Sequence, residues 1–134
     1  MLKKICLVVG FIAAFALSPC LLVNAAEKGD PAKGKEIFAG KCAPCHGLTG
    51  HGDGPAAASL QPKPRNLSDA KYVSTLSDER MFKTISEGGA AVGKSPAMPS
   101  WKSSLSEADI WNVIAYVRKD ICKCEYKGEE KENK

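Results

Sequence analysis

The run Cys42-Ala43-Pro44-Cys45-His46 constrains this chain more than any other stretch. A C-x-x-C-H run reads as an attachment site for a c-type haem. Two thiols separated by two residues at a helix end can meet the two vinyl groups of one porphyrin and form thioether bonds. The histidine next in sequence then lies under the iron, and its imidazole binds as the proximal ligand. Two other chemistries use paired cysteines. A C-x-x-C pair alone can be a redox dithiol, and together with Cys122 and Cys124 it could complete a zinc site. Neither requires His46 directly after Cys45.

The first 26 residues differ from the rest. Lys3 and Lys4 form a basic start, an apolar stretch runs from Ile5 to about Leu17, and Val23-Asn24-Ala25-Ala26 offers small residues for cleavage. This is the layout of a secretory signal peptide, and Pro19 breaks the run that a membrane anchor would need. Cleavage after Ala25 or Ala26 leaves a chain of about 108 or 109 residues. Leu17-Ser18-Pro19-Cys20 loosely resembles a lipoprotein cleavage box, although proline stands where a small residue is usual. Lipidation at Cys20 would tether the protein to a membrane surface.

Charge is a weak clue. Without Lys3 and Lys4 the 19 basic residues fall to 17 against 15 acidic ones, a net charge of +2. Such a balance gives no support to nucleic-acid binding. Residues 123–134 are mostly lysine and glutamate and read as a solvated, disordered tail. The body between signal and tail, residues 27–122, is one domain by length.

Within that body the pattern is helical. Asp30-Pro31 opens a helix with a capping residue and a proline at its first position, and this helix extends to about Lys41. Ser77-Asp78-Glu79-Arg80 starts a second, which Gly88-Gly89 stops, with Met81, Phe82 and Ile85 on its apolar face. Ser106-Glu107-Ala108-Asp109 resembles a capping box and starts a third. Ile110, Val113, Ile114, Val117 and Ile121 then form an amphipathic stripe. No segment alternates with period two. Residues 47–67 are rich in glycine and proline, a long loop with one short helical turn at Ala56 to Leu60, and loops of that length are usually functional or disordered.

Three side chains compete to be a second iron ligand. Met81 falls on an apolar helix face and reads as core. His51 is only five residues past His46, too few to reach the opposite haem face with ease. Met98 lies 52 residues beyond His46, in the segment Lys94-Ser95-Pro96-Ala97-Met98-Pro99-Ser100-Trp101. Pro96 and Pro99 hold that segment out of regular structure and present the sulfur on a stiff loop. Met98 is the expected distal ligand.

With these residues in place, the chain resembles class I c-type cytochromes. The resemblance rests on Gly34-Lys35-Glu36-Ile37-Phe38 before the Cys42–His46 run and on Val113-Ile114-Ala115-Tyr116-Val117-Arg118 near the end. Gly50-His51-Gly52-Asp53-Gly54-Pro55 through Pro64-Arg65-Asn66-Leu67 is similar to bacterial monohaem members related to cytochrome c6 and to cbb3-oxidase haem subunits. It implies an all-α cytochrome c fold of three to four helices and long loops around one covalent haem c. It implies that Gly34 and Phe38 pack against Tyr116, that the Pro55 carbonyl accepts the Nδ1–H of His46, and that Arg65 and Asn66 lie where polar groups often reach a haem propionate. The Met-Pro loop before the last helix matches the family position of the distal ligand, Met98 here.

A His/Met-ligated iron has no open position, so the expected function is not enzymatic. It is one-electron transfer between redox proteins outside the cytoplasm, in the periplasm, with Lys41, Lys94 and Lys102 placed to steer an acidic partner. The alternative is a haem subunit bound to a larger oxidase, dehydrogenase or sulfur-oxidising complex. Export favours a disulfide at Cys122 and Cys124, either as a strained local C-x-C ring or as a bridge to another molecule, and the family pattern does not cover this pair. Intact-mass analysis of the exported protein tests the leader: the expected mass lacks residues 1–25 or 1–26 and carries one haem. A mass that retains Cys20 with a lipid overturns that cleavage site.

Overall fold

The computed structural model describes residues 28–127. The leader, Cys20 and residues 128–134 lie outside the described residues, so the readings placed on them are not addressed by the fold.

Helix α1, Pro31–Ile37, starts as the sequence predicts. The Asp30 carboxylate accepts from the Ala32 amide at 2.9 Å, and Pro31 occupies the first turn. The helical path does not stop at Lys41. It continues through a π-helical segment, Phe38–Cys42, into α2, Ala43–His46, and ends at Gly47 with φ +76°. A 3-10 turn follows at Ala57–Ser59, inside the predicted loop. Helix α3, Ala70–Val73, is a single turn capped by Asp69, too short to leave a periodic signal. Helix α4, Asp78–Glu87, has Ser77 as its cap and ends at Gly88. A 3-10 turn, Gly89–Val92, leads towards Met98. Helix α5, Glu107–Tyr116, opens with a complete capping box between Ser106 and Asp109 and continues as a π-helical segment, Val117–Cys122. The described residues contain no strand, and the all-α fold expected from the sequence is the one found.

Helices α1 and α5 cross at close range. A Cβ on Gly34 would overlap the Asn112 carbonyl, so only glycine lets the two backbones approach this far. The Asn112 amide oxygen also accepts the Asp30 N–H at 2.7 Å, which fixes the start of α1 on α5. One turn on, the Phe38 and Tyr116 rings pack with centroids 5.5 Å apart at 59°. The predicted stripe faces inward: Ile110, Val113, Ile114 and Val117 are each no more than 2 % exposed. Burial at that level contributes about 1.5–3 kcal/mol per side chain. Met81 and Ile85 of α4 join this core, and Phe82 stacks on Trp111 at 4.8 Å.

Arg118 ties the far end of α5 to α3 and α4. Its Nε donates to Asp78 Oδ1 at 2.9 Å, Nη1 donates to the Val73 carbonyl at 2.9 Å, and Nη2 donates to the Leu76 carbonyl. One guanidinium therefore serves a carboxylate and two carbonyls at and just beyond the end of α3.

The C-terminal boundary differs from the sequence reading. Residues 123–127 are not a free tail. Cys122 and Cys124 form a disulfide, the Cys124 amide donates to Arg118 O at 3.0 Å, and the Lys127 amide donates to Ser74 O at 2.9 Å. Charge-rich composition concealed attachments that run through backbone groups and one covalent bond.

The crossing yields a direct prediction. Gly34→Ala should lower stability by about 1–3 kcal/mol, the usual cost of overpacking. Urea denaturation of the haem-loaded protein measures it, and an unchanged midpoint would contradict the close approach.

Candidate haem site

A helix end leaves its last four carbonyls without intrahelical partners. At His46 each of the four is satisfied by the chain that follows. Gly47 N donates to Ala43 O at 2.8 Å, Ala56 N to Pro44 O at 2.9 Å, Gly54 N to Cys45 O at 3.1 Å, and Gly52 N to His46 O at 2.8 Å. The glycine-rich stretch is therefore a cap folded back over the end of α2. Gly52 has φ +78°, and a Cβ there would overlap Pro64 O. That contact brings the Pro64-Arg65 segment beside the histidine.

His46 Nδ1 lies 3.0 Å from the Arg65 carbonyl. A carbonyl can only accept, so Nδ1 carries the proton and Nε2 keeps the lone pair. Burial lowers the His46 pKa, opposed in smaller part by this bond, and favours the neutral ring. A neutral imidazole with Nδ1 tied to a carbonyl and Nε2 unprotonated is the form that binds a metal. The structure corrects one expectation here. Pro55 is exposed and is not the partner of His46; the Arg65 carbonyl takes that role. Pro55 sits within the cap, next to Gly54 and Ala56, whose amides serve α2. No side-chain pattern could have revealed the substitute, because a backbone carbonyl belongs to every residue.

Cys42 and Cys45 are both unpaired and half-buried. Burial, the neighbouring Cys45 and, in the opposite sense, Lys41 act on the Cys42 thiol, which is pushed up to about 12. Redox dithiols need the reverse, a thiol with a lowered pKa, so the dithiol reading loses its support. The zinc reading fails too. Cys122 and Cys124 are bonded to each other, and among the described residues no three His, Cys, Asp or Glu side chains gather in a metal-binding group.

The Met98 loop is held by the same device as His46. The Trp101 amide donates to Ile85 O at 3.0 Å, the Lys102 amide to Ser86 O at 3.1 Å, and Ser100 Oγ to Ser86 O at 2.6 Å. These bonds cap the last turn of α4. The Met98 carbonyl accepts from Gly89 N at 3.0 Å, and the side chain is half-buried against the core. Met81 is 7 % exposed within the core, as expected of a packing residue. His51 is exposed, with Nδ1 2.7 Å from Thr49 Oγ1. Arg65 is exposed as well, and its guanidinium lies 4.4 Å from the Tyr72 ring centroid. Lys41 Nζ lies 5.5 Å from the Trp101 ring centroid, which links the attachment helix to the Met98 loop.

Several large apolar side chains around the core are only half-covered, among them Leu67, Tyr72, Leu76, Phe82, Met98 and Trp101. The paired thiols, the poised Nε2 and this apolar set all fit a haem. The fold and donor set define a small, all-helical haem-attachment domain. The chain matches the Cytochrome c family over residues 31–119 and belongs to that family, whose members carry covalently attached haem c.

Two kinds of relative stand out. A cytochrome c6 from Synechocystis sp. is 32% identical over 107 residues, covering 74% of this chain and 79% of that one. A cbb3-type cytochrome c oxidase subunit CcoP from Azospirillum sp. is 32% identical over 94 residues, covering 70% of this chain. The chain spans about 30% of that subunit's length. Among solved structures, a chain of a reducing HAO-like protein complex from Kuenenia stuttgartiensis is 29% identical with a TM-score of 0.55. The match covers 69% of this chain and 43% of that one.

Gly52 is the test of the cap. Gly52→Ala should cost about 1–3 kcal/mol from positive-φ strain and the clash with Pro64 O. It should also broaden or shift the His46 ring resonances in proton NMR. A variant with wild-type stability and an unmoved His46 signal would contradict the arrangement.

Proposed function

We propose that this chain is an exported one-electron carrier of the periplasm, with haem c attached through Cys42 and Cys45 and with His46 and Met98 as axial ligands. The observation that carries this reading is the Nδ1 contact of His46 to the Arg65 carbonyl, which leaves Nε2 as the binding nitrogen. When bound, the haem supplies an Fe(III)/Fe(II) couple. The chain's residues set its behaviour. His46 is held in one tautomer and one ring orientation, so ligation involves no proton transfer from the ring. Met98 contributes a neutral, soft thioether that favours the reduced iron and raises the potential relative to a second histidine. If His46 and Met98 both hold the iron, they would leave it no site for a substrate, and the group would supply electron transfer alone, which favours a carrier over an enzyme.

Arg65 and Asn66 are assigned the propionate side, Arg65 through a guanidinium set against Tyr72. Lys41, Lys94 and Lys102 are exposed, and they are assigned the steering of an acidic donor or acceptor. No helix among the described residues is long and apolar enough to cross a membrane. The cbb3 subunit similarity keeps the second reading in view, a haem domain held in a larger complex. Gel filtration of native extract separates them: a carrier elutes near its own mass, whereas a subunit takes all its haem into a large complex.

The ligand assignment is tested with Met98→Ala. Haem should stay on Cys42 and Cys45 by mass spectrometry, while the low-spin spectrum changes to a high-spin or water-ligated one. The reduced variant should bind carbon monoxide without denaturant. An unchanged six-coordinate spectrum would remove Met98 from the iron.

A further inference from the structure

The electron-carrier reading makes no use of the Cys122–Cys124 disulfide, and the bond adds little to the stability of the fold. A bond between residues two apart closes a very small ring and removes little entropy from the unfolded chain. Its surroundings are specific. The two half-cystines differ sharply in access. Cys122 is 5 % exposed, whereas Cys124 is half-buried and lines a groove of about 1300 Å³ along α3 and α5. The groove shares no lining residue with the Cys42–His46 turn or with the Met98 loop. Its walls carry Lys71, Lys119, Lys123 and Lys127, none of them in an ion pair among the described residues. Arg118 Nη1 stands 3.7 Å from Cys124 Sγ. Cys122 Sγ stands 3.7 Å from the carbonyl oxygens of Arg118 and Cys124.

We infer that Cys122–Cys124 is a thiol–disulfide exchange site, reduced by a protein dithiol that enters the basic groove and attacks Cys124 first. A thiolate of the dithiol attacks Cys124 Sγ. The Cys122–Cys124 bond breaks, and Cys122 leaves as a thiolate that takes up a proton. The thiol so formed has the Arg118 carbonyl as an acceptor. The second thiol of the partner, once deprotonated, attacks its own sulfur in the mixed disulfide, and Cys124 leaves as a thiolate beside the Arg118 guanidinium. The partner's dithiol becomes a disulfide, and its two electrons reside on Cys122 and Cys124. The lysines favour the approach of an anionic thiolate and select a partner with acidic groups around its dithiol. Reduction opens the small Cys122–Cys124 ring, and the Cys124 and Lys127 amide hydrogen bonds remain to keep that wall in place. This two-electron site works independently of the haem, so its test is separate from that of the ligands.

Reduced glutathione serves as the probe on the haem-loaded protein. Acid quenching and peptide mass spectrometry locate the mixed disulfide, and the haem spectrum reports whether the fold is intact. The expected adduct is on Cys124, formed while the haem spectrum is unchanged. The double variant Lys119→Glu/Lys123→Glu should slow its formation at least about threefold at low salt, with the difference shrinking as salt rises. An adduct on Cys122 overturns the order of attack. Reduction only under conditions that also unfold the haem site overturns the proposal and leaves a structural disulfide. A charge-reversed variant that reacts at the wild-type rate overturns the role given to the groove.

Discussion

The structure depends on how two helix ends are closed. Backbone carbonyls at the end of a helix must find donors, and the cheapest donors are the amides of the chain that follows. At α2 the cap is residues 47–56, which forces the loop back over the helix and delivers the Pro64-Arg65 segment to His46. At α4 the cap is residues 100–102, which anchors the Met98 loop from its C-terminal side. Both candidate iron ligands thus sit next to a closed helix end. Their placement is inherited from backbone hydrogen bonding and not from contacts between the ligands themselves.

The crossing of α1 and α5 supplies the frame for those ends. Gly34 sets the distance, Asn112 fixes the start of α1, and Phe38 against Tyr116 fills the next layer. Since α1 runs on into α2, any shift in the crossing would be carried along one helical path to Cys42, Cys45 and His46. Arg118 performs a comparable task at the other end of α5, where it holds α3 and the first turn of α4. A guanidinium suits this position because its donors fan out in a plane and can serve a carboxylate and two carbonyls at once.

Local signals carried most of the fold. Asp30-Pro31, Ser77 and the Ser106–Asp109 box each became a helix start, because caps act over three or four residues and need no tertiary partner. The stripe from Ile110 to Val117 became the buried face of α5 for a similar reason, since periodicity is a property of one helix. The single turn α3 had no such signal. The extension of the first helix to His46 was hidden as well, since its closing bonds come from residues up to ten positions later.

The amino-acid sequence by itself determined the haem chemistry. Two cysteines and a histidine in one five-residue run need no fold to be recognised, and Met98 between two prolines is a stiff loop in any context. Tertiary structure decided which group orients His46. The family resemblance pointed to Pro55, and only the glycine-rich cap, folded over α2 against Pro64, puts the Arg65 carbonyl at 3.0 Å from Nδ1 instead. It also decided where residues 123–127 are attached. The attachments of that segment are backbone amides donating to Arg118 and Ser74, beside a local Cys122–Cys124 disulfide, and composition does not register bonds of that kind.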